Sequence, residues 1–130
     1  MSELGFQSRI SLSYEAAMEK VTEALKTEGY GVLTNIDVKE TMQKKLGAEF
    51  RKYSILGACN PVLAHKALTI RPEIGLLLPC NVIVYEESNS TVVNIIDPLS
   101  MFDFFKDPDL EPVAEDARNR LLRVSEAIQK

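Results

Sequence analysis

Two cysteines and one histidine carry most of the chemistry this chain can offer. Cys59 stands in Leu56-Gly57-Ala58-Cys59-Asn60-Pro61, and His65 follows in the apolar turn Val62-Leu63-Ala64-His65. Cys80 heads a second Cys-Asn pair, Cys80-Asn81, behind Pro79 in another apolar run. Thiolate and imidazole are soft and borderline donors that suit zinc or copper. Cys59, His65 and Cys80 would give three protein ligands and leave one position open, as in a catalytic zinc site. The spacing from Cys59 to His65 is no standard zinc signature, and there is no Cys-x-x-Cys. The competing reading is that both cysteines are small buried hydrophobes and His65 lies on a helix surface. Spacing alone favours that inert reading.

A thiol-redox reading uses Cys59 as the attacking thiol and Cys80 as its resolving partner. It requires the strands that hold them to come within disulfide reach. Cys59 is expected to be the more reactive thiol, because it lies just outside a helix N-terminus. A Cys59–His65 nucleophile pair is weaker, since His65 is more than a turn into that helix and no acylation motif surrounds it. The carboxylates offer little. Glu86-Glu87 reads as a solvated hairpin end and Asp97 before Pro98 as turn chemistry. Asp103, Asp107 and Asp109 are expected to serve the N-terminus of the last helix, and Arg118, Arg120 and Arg123 its second half. The six glycines form no phosphate-binding frame, so a nucleotide cofactor is not indicated.

The elements that must position these residues follow from periodicity. Phe6 to Leu12 alternates as a half-buried first strand, with Ser8 breaking its apolar face. Ser13 caps a helix with Tyr14, Ala17, Met18, Val21 and Leu25 on one side, stopped by Gly29. Gly31 to Val38 is the second strand, followed by a short helix with Met42 and Leu46 that ends at Gly47. Phe50 to Ala58 is the third strand. Asn60 is a good N-cap and Pro61 suits the first helical position, so a third helix runs from Pro61 to Ile70, stopped by Pro72. Leu76 to Glu86 is the fourth strand, with Pro79 marking an edge, a bulge or a kink. Ser88-Asn89-Ser90 turns the chain into a fifth strand, Thr91 to Asp97. Met101-Phe102-Asp103-Phe104-Phe105 is an aromatic connector that could close an apolar pocket, with a buried link or dimer contact as the favoured reading. Val113, Ala117, Leu121, Val124 and Ile128 then form the stripe of a last helix. Residues 82–85 and 92–96 look apolar on both faces, so one set of helices leaves a face for the third helix or a second copy to cover.

The bulk numbers narrow the classes. At 130 residues, 45% hydrophobic and 26% charged, the chain has the composition of an ordinary globular domain. The net charge of −4 lacks the basic excess that nucleic acid or anionic membrane would attract. No apolar run approaches the roughly 18 residues of a membrane span. Met1-Ser2-Glu3-Leu4 does not read as the start of a signal peptide. The expectation is a cytoplasmic protein, in which two cysteines serve as thiols or ligands and not as a disulfide.

Leu56 to Pro61 with Ala64-His65, then Ile74-Gly75-Leu76-Leu77-Leu78-Pro79-Cys80-Asn81-Val82 and Asp97-Pro98, resemble the domain of unknown function 302 family. The resemblance runs over nearly the whole chain. It implies a small prokaryotic protein with helices packed on an antiparallel sheet, a fold similar to the TATA-box-binding-protein class, and a homodimer. It brings no activity with it, and fold alone gives no licence for DNA binding.

The expectation is therefore one α+β domain over residues 1–130. A single antiparallel sheet of about five strands runs in the order β-α-β-β-β-β-α with two short helical insertions. The chain is expected to be a homodimer that binds neither nucleic acid nor membrane. Its function is expected to be that of a binding or sensing module with a site around Cys59, Asn60, His65, Cys80 and Asn81. The ligand would be a small molecule, or a soft metal such as zinc held by Cys59, His65 and Cys80. A thiol-dependent redox enzyme using Cys59 and Cys80 is the second expectation. An interaction domain with inert thiols is the third.

Overall fold

In the computed structural model, which describes residues 4–103 and 106–130, these patterns become one five-stranded antiparallel sheet with helices. The elements are β1 (Gly5–Ile10), α1 (Tyr14–Thr27), β2 (Gly31–Asp37), α2 (Val38–Leu46), β3 (Tyr53–Cys59), α3 (Pro61–Ile70), a 3-10 turn (Pro72–Leu77), β4 (Cys80–Glu87), β5 (Ser90–Ile96), α4 (Pro98–Phe102) and α5 (Glu111–Ile128). Across the sheet the order is β1-β5-β4-β3-β2, each neighbouring pair antiparallel. The fold is α+β. No helix among the described residues is long and apolar enough to cross a membrane.

Local chemistry explains the ends of the helices. Ser13 Oγ accepts from the Ala16 N–H at 3.1 Å and starts α1. Gly29, at φ +83°, turns the chain out of it. Ala17, Val21 and Leu25 of α1 are fully buried beside Leu121, Val124 and Ile128 of α5. Together they cover Phe6, Leu56, Val82, Val84, Val93 and Ile95, the inward row of the sheet. Burying one such aliphatic side chain contributes roughly 1.5–3 kcal/mol, so this layer is the principal apolar stabilisation. Ser8 interrupts the row without harm. It is buried, it lies 3.4 Å from the Ser125 hydroxyl, and Gln129 Nε2 donates to it at 3.0 Å.

The start of β4 departs from expectation. Pro79 is not inside the strand. The strand begins at Cys80, in the middle of the sheet, paired to β3 and β5. A central strand has no place for a residue without an N–H, so Pro79 stands before the ladder, after a cis Leu78–Pro79 bond. Leu76 and Leu77 belong to the 3-10 turn. Part of the aromatic connector is also helical: Asp97 Oδ1 accepts from the Leu99 N–H at 3.0 Å and caps α4. Phe104 and Phe105 lie outside the described residues. The acidic residues before α5 do not cap it. Leu110 is the N-cap and supplies no side-chain bond, while Asp107 accepts from the Asp109 N–H and from Arg71.

The second face of the sheet carries a row formed by Ile36, Ile55, Ile83, Asn94 and Gln7, in register from β2 to β1. A parallel row holds Tyr53, Tyr85, Val92 and Arg9. The Tyr53 and Tyr85 rings stack with centroids 5.1 Å apart. Ile55 and Ile83 are half-buried, and Ile36 is 51% exposed. The third helix does not cover this face: α3 packs against α5 and the 3-10 turn.

Candidate functional site

The switch from β3 to α3 is built by Asn60. Its Oδ1 accepts from the N–H groups of Val62 and Leu63 at 3.1 and 3.2 Å, satisfying two free donors of the first turn. Its Nδ2 donates to the main-chain oxygen of Glu28 at 3.3 Å. Arg120 Nη1 donates to the same oxygen at 3.0 Å. The end of α1, the start of α3 and the middle of α5 are thus tied at one carbonyl. Gly57 is fixed by close approach. A Cβ there would lie 2.7 Å from Pro79 Cγ and against the Thr34 hydroxyl, so only glycine lets β2 and Pro79 come this near.

Ala58 faces Cys80 directly in the β3–β4 register, so Cys59, the next residue and the last of its strand, alternates to the other face of the sheet. Both cysteines are free thiols. Beyond these strand ends opens a cavity of about 320 Å³ under α3. Tyr30, Cys59 and Cys80 line it together with Leu63 and Ala67 from α3, Ala117 from α5 and Phe102 from α4. No charged side chain and no imidazole is part of its lining among the described residues. The space exists because Ala64, Ala67 and Ala117 are short where larger residues would fill it.

The two thiols differ. Cys80 is buried at 8% exposure, and burial, reinforced by the negative charge Cys59 can carry, pushes its pKa up to about 12. Cys59 is only partly buried. Burial also holds the Tyr30 phenol well above its usual range, so the cavity presents neutral groups.

Of the residues expected at the site, Cys59, Asn60 and Cys80 come to this one cavity. His65 is exposed on α3 and is not part of the lining, since Leu63 and Ala67 are the residues that α3 turns inward. Asn81 is exposed on β4, opposite Gly57. Among the described residues no three His, Cys, Asp or Glu side chains group as a metal centre. The arginines of α5 are occupied inside the fold. Arg118 pairs with Asp97 at 3.2 Å, Arg120 with Asp116 at 2.9 Å and Arg123 with Glu28 at 2.9 Å. Sequence reasoning missed Tyr30 as a site residue, offered Phe102 only within a connector that could close a pocket, and read Val113 and Ala117 only as core. Nothing local marks them, since they are ordinary apolar positions that become a wall only where α1, α4 and α5 meet.

A model of the family described as domain of unknown function DUF302 matches residues 6–128. A solved crystal structure, of an uncharacterized conserved DUF302 protein from Bacillus stearothermophilus, is similar at 31% identity with a TM-score of 0.88. The similarity covers 97% of this chain and 98% of that one. No curated protein matches the sequence.

Proposed function

For a chain that belongs to the DUF302 family, whose description assigns no activity, we propose the role of a binding module for a small, neutral, largely apolar molecule. The observation that carries this reading is the cavity of about 320 Å³ whose lining holds thiols, a phenol and hydrocarbon but no charge. Its size lies at the lower end of small-molecule sites, and its composition fits them. A carboxylate or phosphate placed there would lose its hydration with no counter-charge to replace it. Cys59 and Asn60 at the strand-to-helix switch and Cys80 at the start of β4 give the cavity its few polar atoms.

The test is binding of a neutral solvatochromic dye, Nile red, to the reduced full chain, with Ala64→Phe as the variant. Ala64 lines the cavity and is only partly buried, so a larger side chain can enter the space without displacing packed core. Saturable fluorescence enhancement that is lost in Ala64→Phe, with thermal stability retained, supports the reading. Enhancement that is absent, or unchanged in the variant, overturns it.

The module is proposed to work as a homodimer in a reducing cytoplasm. The half-exposed isoleucine and tyrosine rows of the second sheet face support the dimer. Two unpaired thiols support the compartment. A thiol-redox enzyme is the second reading, because both cysteines line one cavity on paired strands. The high pKa of Cys80 weighs against it, since a resolving thiol reacts as thiolate.

A further inference from the structure

We propose that the Tyr30 hydroxyl is the hydrogen-bond donor of the cavity and selects, among neutral apolar molecules, those that carry a carbonyl oxygen. The inference rests on the cavity's taking an apolar ligand, as proposed above, and adds the one polar group that ligand must bear. The end of α1 sets the residue in place. Gly29, at φ +83°, reverses the chain there, and the N–H groups of Gly29 and Tyr30 return to the Lys26 and Leu25 carbonyls at 3.1 and 2.9 Å. Tyr30 is only 3% exposed, in one apolar cluster with Leu25, Ala58 and Cys80, and it lines the cavity. Its hydroxyl makes no hydrogen bond among the described residues. Among those residues no fully enclosed side-chain oxygen is without a partner. The phenol oxygen therefore touches open space, and the cavity is the open space that Tyr30 lines. A largely buried donor without a partner is a cost to the fold that a ligand's acceptor removes.

The other polar side chains of the lining are committed, weak or wet. Asn60 uses its oxygen on the first turn of α3 and its amide on the Glu28 carbonyl. Cys59 and Cys80 are free thiols, which donate only weakly. Thr34 is exposed on β2, the edge strand. That leaves the phenol as the one strong buried donor. Burial keeps it protonated, so it meets a ligand as O–H and not as phenolate. A ketone, aldehyde or ester brings an acceptor and nothing else. An alcohol or primary amide adds a donor of its own, and the lining holds no buried side-chain acceptor for it besides the same phenol oxygen. A carboxylate would lose its hydration with no counter-charge in the lining. The chemistry that remains is a hydrocarbon body with one carbonyl.

The experiment compares acetylnaphthalene with isopropenylnaphthalene, substituted at the same ring position. The two share one outline, and a carbonyl oxygen in the first stands where the second has a methylene. Each is titrated into the reduced full chain and followed by ligand-observed NMR. The ketone should bind roughly 2- to 10-fold more tightly than the alkene, the net worth of a neutral hydrogen bond. Its carbonyl stretch should move to lower frequency in the complex. Tyr30→Phe should bring the two probes to equal affinity and remove that frequency shift, while the alkene binds as it does to the wild type. Because the hydroxyl has no partner in the fold, Tyr30→Phe should unfold at the wild-type temperature or above it. Equal affinities in the wild type, a preference for the ketone that survives in Tyr30→Phe, or marked destabilisation by that substitution would each overturn the proposal. In those cases the alkene still binds, and the apolar-ligand reading stands. Binding of neither probe removes that reading, and this inference with it.

Discussion

Asn60 and Glu28, 32 positions apart, meet where Asn60 Nδ2 donates to the Glu28 carbonyl at the end of α1. The same side chain caps α3 through its oxygen. One amide therefore ties the end of α1 to the start of α3, and it adjoins Cys59. Asn60→Ala removes both functions. The cap alone is worth about 0.5–2 kcal/mol, and Asn60 is buried at 6%, so the loss should lie at or above the top of that range. Asn60→Ser keeps an accepting oxygen for the cap and is too short to donate to Glu28. It should cost less than Asn60→Ala in urea unfolding. Equal losses would show that the contact with Glu28, and not the cap, sets the stability.

Cys80 makes stability depend on pH in the alkaline range. Its folded pKa of about 12 lies above the value of 9.0 for an unhindered thiol. Between those values the unfolded chain has released a proton that the folded chain retains. Stability is therefore fully present below about pH 9 and falls as pH rises towards 12, by at most about 1.4 kcal/mol per pH unit from this group. Tyr30, raised in the same direction by burial, adds to the fall at the upper end. Chemical unfolding of the wild type and Cys80→Ala at pH 8 and above checks this, and the variant should show the shallower slope. Alkylation followed by mass spectrometry gives a second view. Cys59 should be labelled in the folded chain and Cys80 only slowly until it unfolds. Labelling of Cys80 first would contradict the burial that the fold assigns to it.

Ile83 is central to the second sheet face, between Ile55 and Asn94 in the register. A face of this kind favours an isologous contact with a second copy. The wild type should sediment as a dimer at micromolar concentration, and Ile83→Lys as a monomer. The variant should keep most of its stability, because Ile83 is only half-buried in the single chain. A wild type that stays monomeric at high micromolar concentration would falsify the dimer.

Elements that depend on neighbours along the chain were legible in the sequence. The α5 stripe from Val113 to Ile128, the Ser13 and Asn60 caps, the stop at Gly29 and the β4–β5 hairpin all follow from spacings of a few residues. Those are the scales on which helical and strand periodicity act. The Cys59-Asn60 and Cys80 segments, which line one cavity, were legible in it too. Features that arise from strand pairing and helix crossing were not legible there. Placing β4 at the sheet centre moved Pro79 out of the strand, because both of its ladders need N–H donors. The meeting of α1, α4 and α5 made Tyr30, Phe102 and Ala117 into a cavity lining. The inward turn of Leu63 and Ala67 left His65 in solvent. A cavity is a volume that distant side chains fail to fill, and no local pattern in the chain encodes that remainder.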